Sequence, residues 1–171
     1  MVQVWMVSPP FRSNLLVAAI LLCAFPATAA ELLFAHGNWA ALRFGERCEA
    51  RSKAVSSSGT AKPTAYAGIT FDSGPGVHGQ FYIHLSRPQR SGSTVMLNVG
   101  GQPFLLVGRS DWAWSRSADQ ASSIVAAARI AGSMSAESRD SSGRRFVDRF
   151  GLAGAPTAID AAAAACAGKW G

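Results

Sequence analysis

Residues Thr94 to Val107 constrain the fold more tightly than any other stretch of this chain. Val95, Leu97 and Val99 recur at every second position, Gly100-Gly101 offers two residues that tolerate positive φ, and Gln102 to Val107 returns. That is a β-hairpin with its turn chemistry written out. Pro103 has no amide to give a ladder, so the return strand is expected to begin at an edge or to pair only beyond that point. Gln80 to Arg87 carries the same period, with Phe81, Ile83 and Leu85 on one face and Tyr82, His84 and Ser86 on the other. Such a strand is half buried, as in an antiparallel sheet with one face on the core.

The remaining segments extend this picture. Trp39 to Glu49 reads as a first strand with Cys48 near its end, preceded by a short lead-in at residues 31 to 38, and Thr64 to Phe71 as a further strand. Arg51 to Pro63 and Asp72 to Gly79 are turn-rich breaks. Met134 to Ser138 and Arg144 to Phe150 flank Asp140-Ser-Ser-Gly143 as a second hairpin. Ser117 and Gln120 have capping-box spacing ahead of an apolar stripe of Ala121, Ile124, Val125 and Ala128, with Gly132 placed to end that helix. A last helix opens at Pro156, closes at Gly168, and puts Ile159, Ala162, Ala163 and Cys166 on one side. The expected fold class is therefore mainly β (α+β): an antiparallel, sandwich-like sheet with one internal and one C-terminal helix.

The N-terminus obeys different rules. After a single charge at Arg12, an apolar run from Leu15 to Phe25 ends at Pro26, and Ala27-Thr28-Ala29 has the small-x-small pattern read by signal peptidase. A helix of that run reaches only about 16 Å against a hydrocarbon core of ~30 Å, so a cleaved signal peptide at residues 1–29 is expected rather than an anchor. Leu22 before Cys23 is too large for a lipobox. Residues 30–171 have the length of a single domain, expected to be soluble after signal cleavage, in the periplasm or secreted.

Export gives the cysteines meaning. Cys23 leaves with the signal, and Cys48 and Cys166 remain in an oxidising compartment, 118 positions apart. A redox pair would sit close in sequence with a depressed thiol pKa, so a structural bond is expected, fastening the last helix to the first strand.

Catalytic signatures are missing from the sequence. His36, His78 and His84 lack zinc-site spacing, and there is no G-x-S-x-G elbow, phosphate loop or dinucleotide fingerprint. No cofactor is expected. Asp72, Asp111, Asp119 and Asp148 are acid–base candidates only in the sense that spacing does not forbid spatial pairing. Asp111 and Asp119 sit where side chains satisfy backbone amides, while Asp148 alternates with Phe146 and Phe150 and is expected to point inward, needing a partner. Trp112 and Trp114 share one face of an extended segment, as a cap on the core or as a contact patch, the core cap being the plainer reading.

The net charge of +6 collects in two places. One is Arg43, Arg47, Arg51 and Lys53; the other is Arg139, Arg144, Arg145 and Arg149, the candidate contact for an anionic glycan or lipid. Export and the lack of a binding motif argue against nucleic acid.

Several of these elements together resemble a known family. Thr94 to Leu106, Asp111-Trp-Ala-Trp114, the Ile124 to Met134 helix and turn, Asp148-x-Phe150-x-Leu152-x-Gly154 and terminal Ala165-Cys166 are similar to the invasion-associated locus B family of exported Gram-negative proteins, with Trp39 and Cys48 fitting its N-terminal pattern. The chain departs from that pattern at Gly151, where relatives usually carry serine, and at Ala155-Pro156, where an aromatic often opens the last helix. The resemblance implies an exported domain with early and late cysteines, linked to host-cell invasion, and supplies no catalytic residues. The expected function is non-enzymatic, directed at an envelope or host-surface component. The alternatives are a cell-wall or small-substrate hydrolase built from scattered carboxylates, and a binder of anionic glycan or lipid through the basic surface.

Overall fold

The computed structural model describes residues 29–58, 64–72 and 78–167. Apart from Ala29, the expected signal peptide lies outside them, as does Gly168. Among the described residues, eleven strands and two helices succeed one another in chain order: β1 Glu31–His36, β2 Trp39–Phe44, β3 Arg47–Lys53, β4 Ser56–Ser57, β5 Tyr66–Asp72, β6 His78–His84, β7 Val95–Val99, β8 Gln102–Arg109, β9 Trp112–Trp114, α1 Ala118–Ile130, β10 Ser133–Arg139, β11 Arg145–Gly151 and α2 Ala155–Ala167. The fold is mainly β, every strand pair is antiparallel, and one helix is internal and one C-terminal. The strands run as one continuous curled sheet, half a barrel, in the order β1-β2-β3-β5-β6-β9-β8-β7-β10-β11-β4, where a sandwich-like sheet was expected.

The join is made by β8, whose first half pairs with β7 and whose last residues, Val107 to Arg109, pair with β9. Pro103 stands opposite Asn98 in the half of β8 that pairs with β7 alone, as its missing amide requires.

Two N-terminal expectations are corrected. The lead-in is itself a strand, β1, paired along β2. The single strand from Trp39 to Glu49 is a hairpin, broken at Gly45, whose φ of 61° lets the chain reverse between Phe44 and Arg47. The break shows as a change of phase, Trp39 and Ala41 being buried on β2 and Cys48, Ala50 and Ser52 on β3.

Alternation then decides which face each residue meets. Cys48, Ala50, Ala67, Ile69, Phe81, Ile83 and Ala113 are fully buried on one face of β3, β5, β6 and β9. Both helices lie on that face, α2 against β1, β2, β3 and β5, α1 against β6, β7 and β8, and they touch each other. Ser117 caps α1, its hydroxyl accepting from the amide of Gln120, and Ile124 and Ala128 enter the core. Helix α2 buries Ala155, Ala158, Ile159, Ala162 and Cys166. Cys166 is bonded to Cys48, with Cα atoms 5.9 Å apart, so the last helix is fastened covalently to β3. None of the described helices is long and apolar enough to cross a membrane.

Candidate functional site

The opposite face of the same four strands carries a different chemistry. Arg47, Glu49 and Arg51 alternate with the buried residues of β3; Tyr66, Gly68, Thr70 and Asp72 do so on β5, Gln80, Tyr82 and His84 on β6, and Trp112 and Trp114 on β9. Nine of these residues, Arg47, Glu49, Arg51, Thr70, Asp72, Gln80, Tyr82, Trp112 and Trp114, line a hollow of about 330 Å³, within the size range of small-molecule clefts.

At its base a polar knot ties β3 to β6 across β5. Tyr82 Oη donates to Glu49 Oε2 at 2.6 Å, and Arg51 donates to the same oxygen from Nη2 at 2.7 Å and from Nε at 3.0 Å. Arg51 Nε also lies 3.2 Å from Tyr82 Oη. Tyr82 stands on β6 and Glu49 on β3, with β5 between, a span of roughly 10 Å at the usual strand spacing. The phenol crosses it because Gly68, its register partner on β5, has no side chain: a β-carbon there would lie 2.5 Å from Tyr82 Oη. Burial and the hydrogen bond to Glu49 push the Tyr82 phenol well above its ordinary pKa of 10.0. Burial opposes charge on Arg51, but Tyr82 and Glu49 outweigh it and hold the guanidinium above its usual value.

Around the knot lies an aromatic cluster. The Arg51 guanidinium sits over the Tyr66 ring, 4.9 Å from its centroid. His84 stacks on Tyr66 at 4.9 Å and 11°, and Trp112 meets Tyr66 and His84 edge-on. Trp112 and Trp114 have near-parallel ring planes, 8° apart, with centroids separated by 6.4 Å. Both indoles are half-buried and stand outside the core cluster. They do share one face, but it is the open one, so they do not cap the core. Val107, opposite Trp114 on β8, extends the apolar strip and is half exposed.

Charge in the hollow is compensated. Arg47 Nε donates to Asp72 Oδ1 at 3.0 Å, which raises the arginine's pKa, and Arg51 is paired with Glu49.

The expected carboxylates are not gathered into one cleft. Asp72 joins the hollow through Arg47; Asp111 Oδ2 faces His84 Nε2 at 3.1 Å; Asp148 is fully buried and accepts from the Ser86 amide at 2.9 Å. Asp119 lies in the exposed first turn of α1. Among the described residues no group of three or more His, Cys, Asp or Glu is arranged to hold a metal ion.

The second basic group is also neutralised in part. Arg139, Arg145 and Arg149 share the outward face of β10 and β11. Arg145 is held by both oxygens of Glu137, Arg139 Nη1 donates to the Gly143 carbonyl, and Arg144 in the turn lies 3.3 Å from Asp140. Arg139 and Arg149 line separate hollows.

Sequence reasoning passes over Glu49, Tyr66 and Gly68. A glycine inside a strand pattern is the available signal, because such a residue marks close approach of another group. No family model, no curated protein and no solved structure matches this chain.

Proposed function

We propose that this is an exported, non-enzymatic binding domain, resembling the invasion-associated locus B family, which meets an envelope or host-surface component through the open face of β3, β5, β6 and β9. One observation carries the reading: five aromatic or imidazole rings and two compensated arginine–carboxylate pairs converge on a single sheet face while the core occupies the other. Aromatic side chains left half-exposed beside oriented polar groups are characteristic of recognition surfaces. Export is supported by the Ala27-Thr28-Ala29 pattern after a short apolar run and by the Cys48–Cys166 bond, which persists in oxidising compartments.

Retention on immobilised mature protein of material from envelope and host-surface fractions tests this. Substituting Trp112 and Trp114 together by alanine should abolish retention, while Arg144→Ala with Arg145→Ala should leave it intact. The reverse pattern would move the contact to the β10–β11 basic surface and overturn the proposal.

A further inference from the structure

The composition of the hollow also narrows what it holds, given the binding reading above. We infer that its occupant is a neutral carbohydrate, a short stretch of glycan laid against Trp112 and Trp114 with its hydroxyls turned toward Glu49, Arg51, Thr70 and Gln80.

Three properties of the face select this chemistry. The first is its amphipathic layout. A pyranose ring has C–H faces that pack on aromatic planes and a rim of hydroxyls that need hydrogen-bond partners. Here the indole pair and Val107 supply apolar surface on β9 and β8, and the polar wall stands across the hollow on β3, β5 and the start of β6.

Charge is the second. The hollow's two arginines are matched by Glu49 and Asp72 at hydrogen-bond distance. A phosphate, sulfate or carboxylate entering here would meet those carboxylates along with the guanidiniums, and a cation would meet the converse. A hydroxyl both donates and accepts, so it suits a wall where donors and acceptors alternate.

The third property is the absence of a free edge within the site. Each of β3, β5, β6 and β9 is paired on both sides, so an extended peptide gains no main-chain ladder from these strands. Stacked bases would find rings, but the two guanidiniums that line the hollow are each held by a carboxylate, and the other cations of this face, Lys53 opposite Tyr66 and Arg109 opposite Trp112, stand outside its lining, so phosphates laid in the hollow meet no free positive charge there.

The test titrates mature protein with maltohexaose, cellohexaose, chitohexaose and mannohexaose, tracking tryptophan fluorescence, with heparin as the anionic comparison. At least one neutral oligosaccharide should perturb the emission, with an affinity unchanged between low and high salt. Trp114→Ala should weaken that affinity by about tenfold or more. Gln80→Ala, an exposed change that leaves the aromatic packing alone, should weaken it by a smaller factor and serves if Trp114→Ala fails to fold. Salt-sensitive binding confined to heparin overturns the inference.

A second arm separates the two levels. Envelope and host-surface material is treated with periodate, which cleaves vicinal diols, or with protease, before capture on the wild-type protein. Capture that depends on Trp112 and Trp114 and is lost after periodate supports the inference. If it depends on them but survives periodate and is lost to protease, the binding face stands and the carbohydrate does not. Where capture ignores both tryptophans, the binding face itself fails.

Discussion

The ring of Tyr82 lies directly over Gly68, two residues that face each other across the β5–β6 ladder. Gly68 therefore acts as a floor for a side chain belonging to the next strand, and through it the phenol reaches Glu49 on the strand beyond.

Gly68→Ala is expected to displace Tyr82, because the new β-carbon would meet the phenol oxygen at 2.5 Å and its ring carbons at 2.6 and 2.8 Å. Loss of the Tyr82–Glu49 bond and crowding together should lower stability by about 1–3 kcal/mol in urea unfolding. Gly45→Ala is the control: nothing lies within 4 Å of its added carbon, so any cost there reflects the positive φ alone and leaves the hollow unchanged.

Tyr82 also makes stability depend on alkaline pH. Its phenol holds a proton more tightly in the folded state than its ordinary 10.0 allows, from burial first and then from Glu49. The stabilisation is thus complete below pH 10.0 and is lost as pH climbs above it toward the folded value. Ultraviolet titration should show a tyrosinate step delayed beyond pH 10.0 and coupled to loss of structure. In Tyr82→Phe that step should vanish; its persistence would assign the late proton elsewhere.

How much of this is legible in the sequence alone? The Gly100-Gly101 hairpin, the Ser117 cap and the inward set Phe81, Ile83 and Leu85 all come from local rules, in which neighbours a few positions apart decide the conformation. The Cys48–Cys166 bond is legible for another reason, since the two cysteines that follow the N-terminal apolar run admit one pairing with each other. The binding face is not. Glu49 and Tyr82 lie 33 positions apart, and their meeting depends on β5 entering between β3 and β6. Alternation says that Trp112 and Trp114 share a side; it does not say which side the helices cover.

The disulfide should dominate the stability of the last helix. It links residues 118 positions apart, and a loop of that size restricts the unfolded chain strongly. Replacing Cys48 and Cys166 by serine should lower unfolding stability by about 2–5 kcal/mol. Hydrogen exchange should rise first in α2, because apart from Cys166 that helix buries only Ile159 and three alanines, Ala155, Ala158 and Ala162. Unchanged protection in α2 would show that apolar packing alone keeps it docked.

Asp148 is the group whose removal the core should feel most directly. Its carboxylate is fully buried on β11, Oδ2 accepts from the Ser86 amide at 2.9 Å, and its register partner across the ladder is Ser57. Asp148→Ala takes away the acceptor and leaves a part-buried N–H without its partner, an expected loss of about 1–3 kcal/mol. Asp148→Asn keeps an acceptor for Ser86 and gives the other terminus hydrogens to donate, in a place where Asp148 Oδ1 and the hydroxyls of Ser57 and Ser86 have no protein partner. The asparagine variant should therefore unfold at a higher urea concentration than the alanine variant. Equal midpoints would mean that the bond to Ser86 contributes nothing, and that Asp148 matters only for the volume it fills between Phe146 and Phe150.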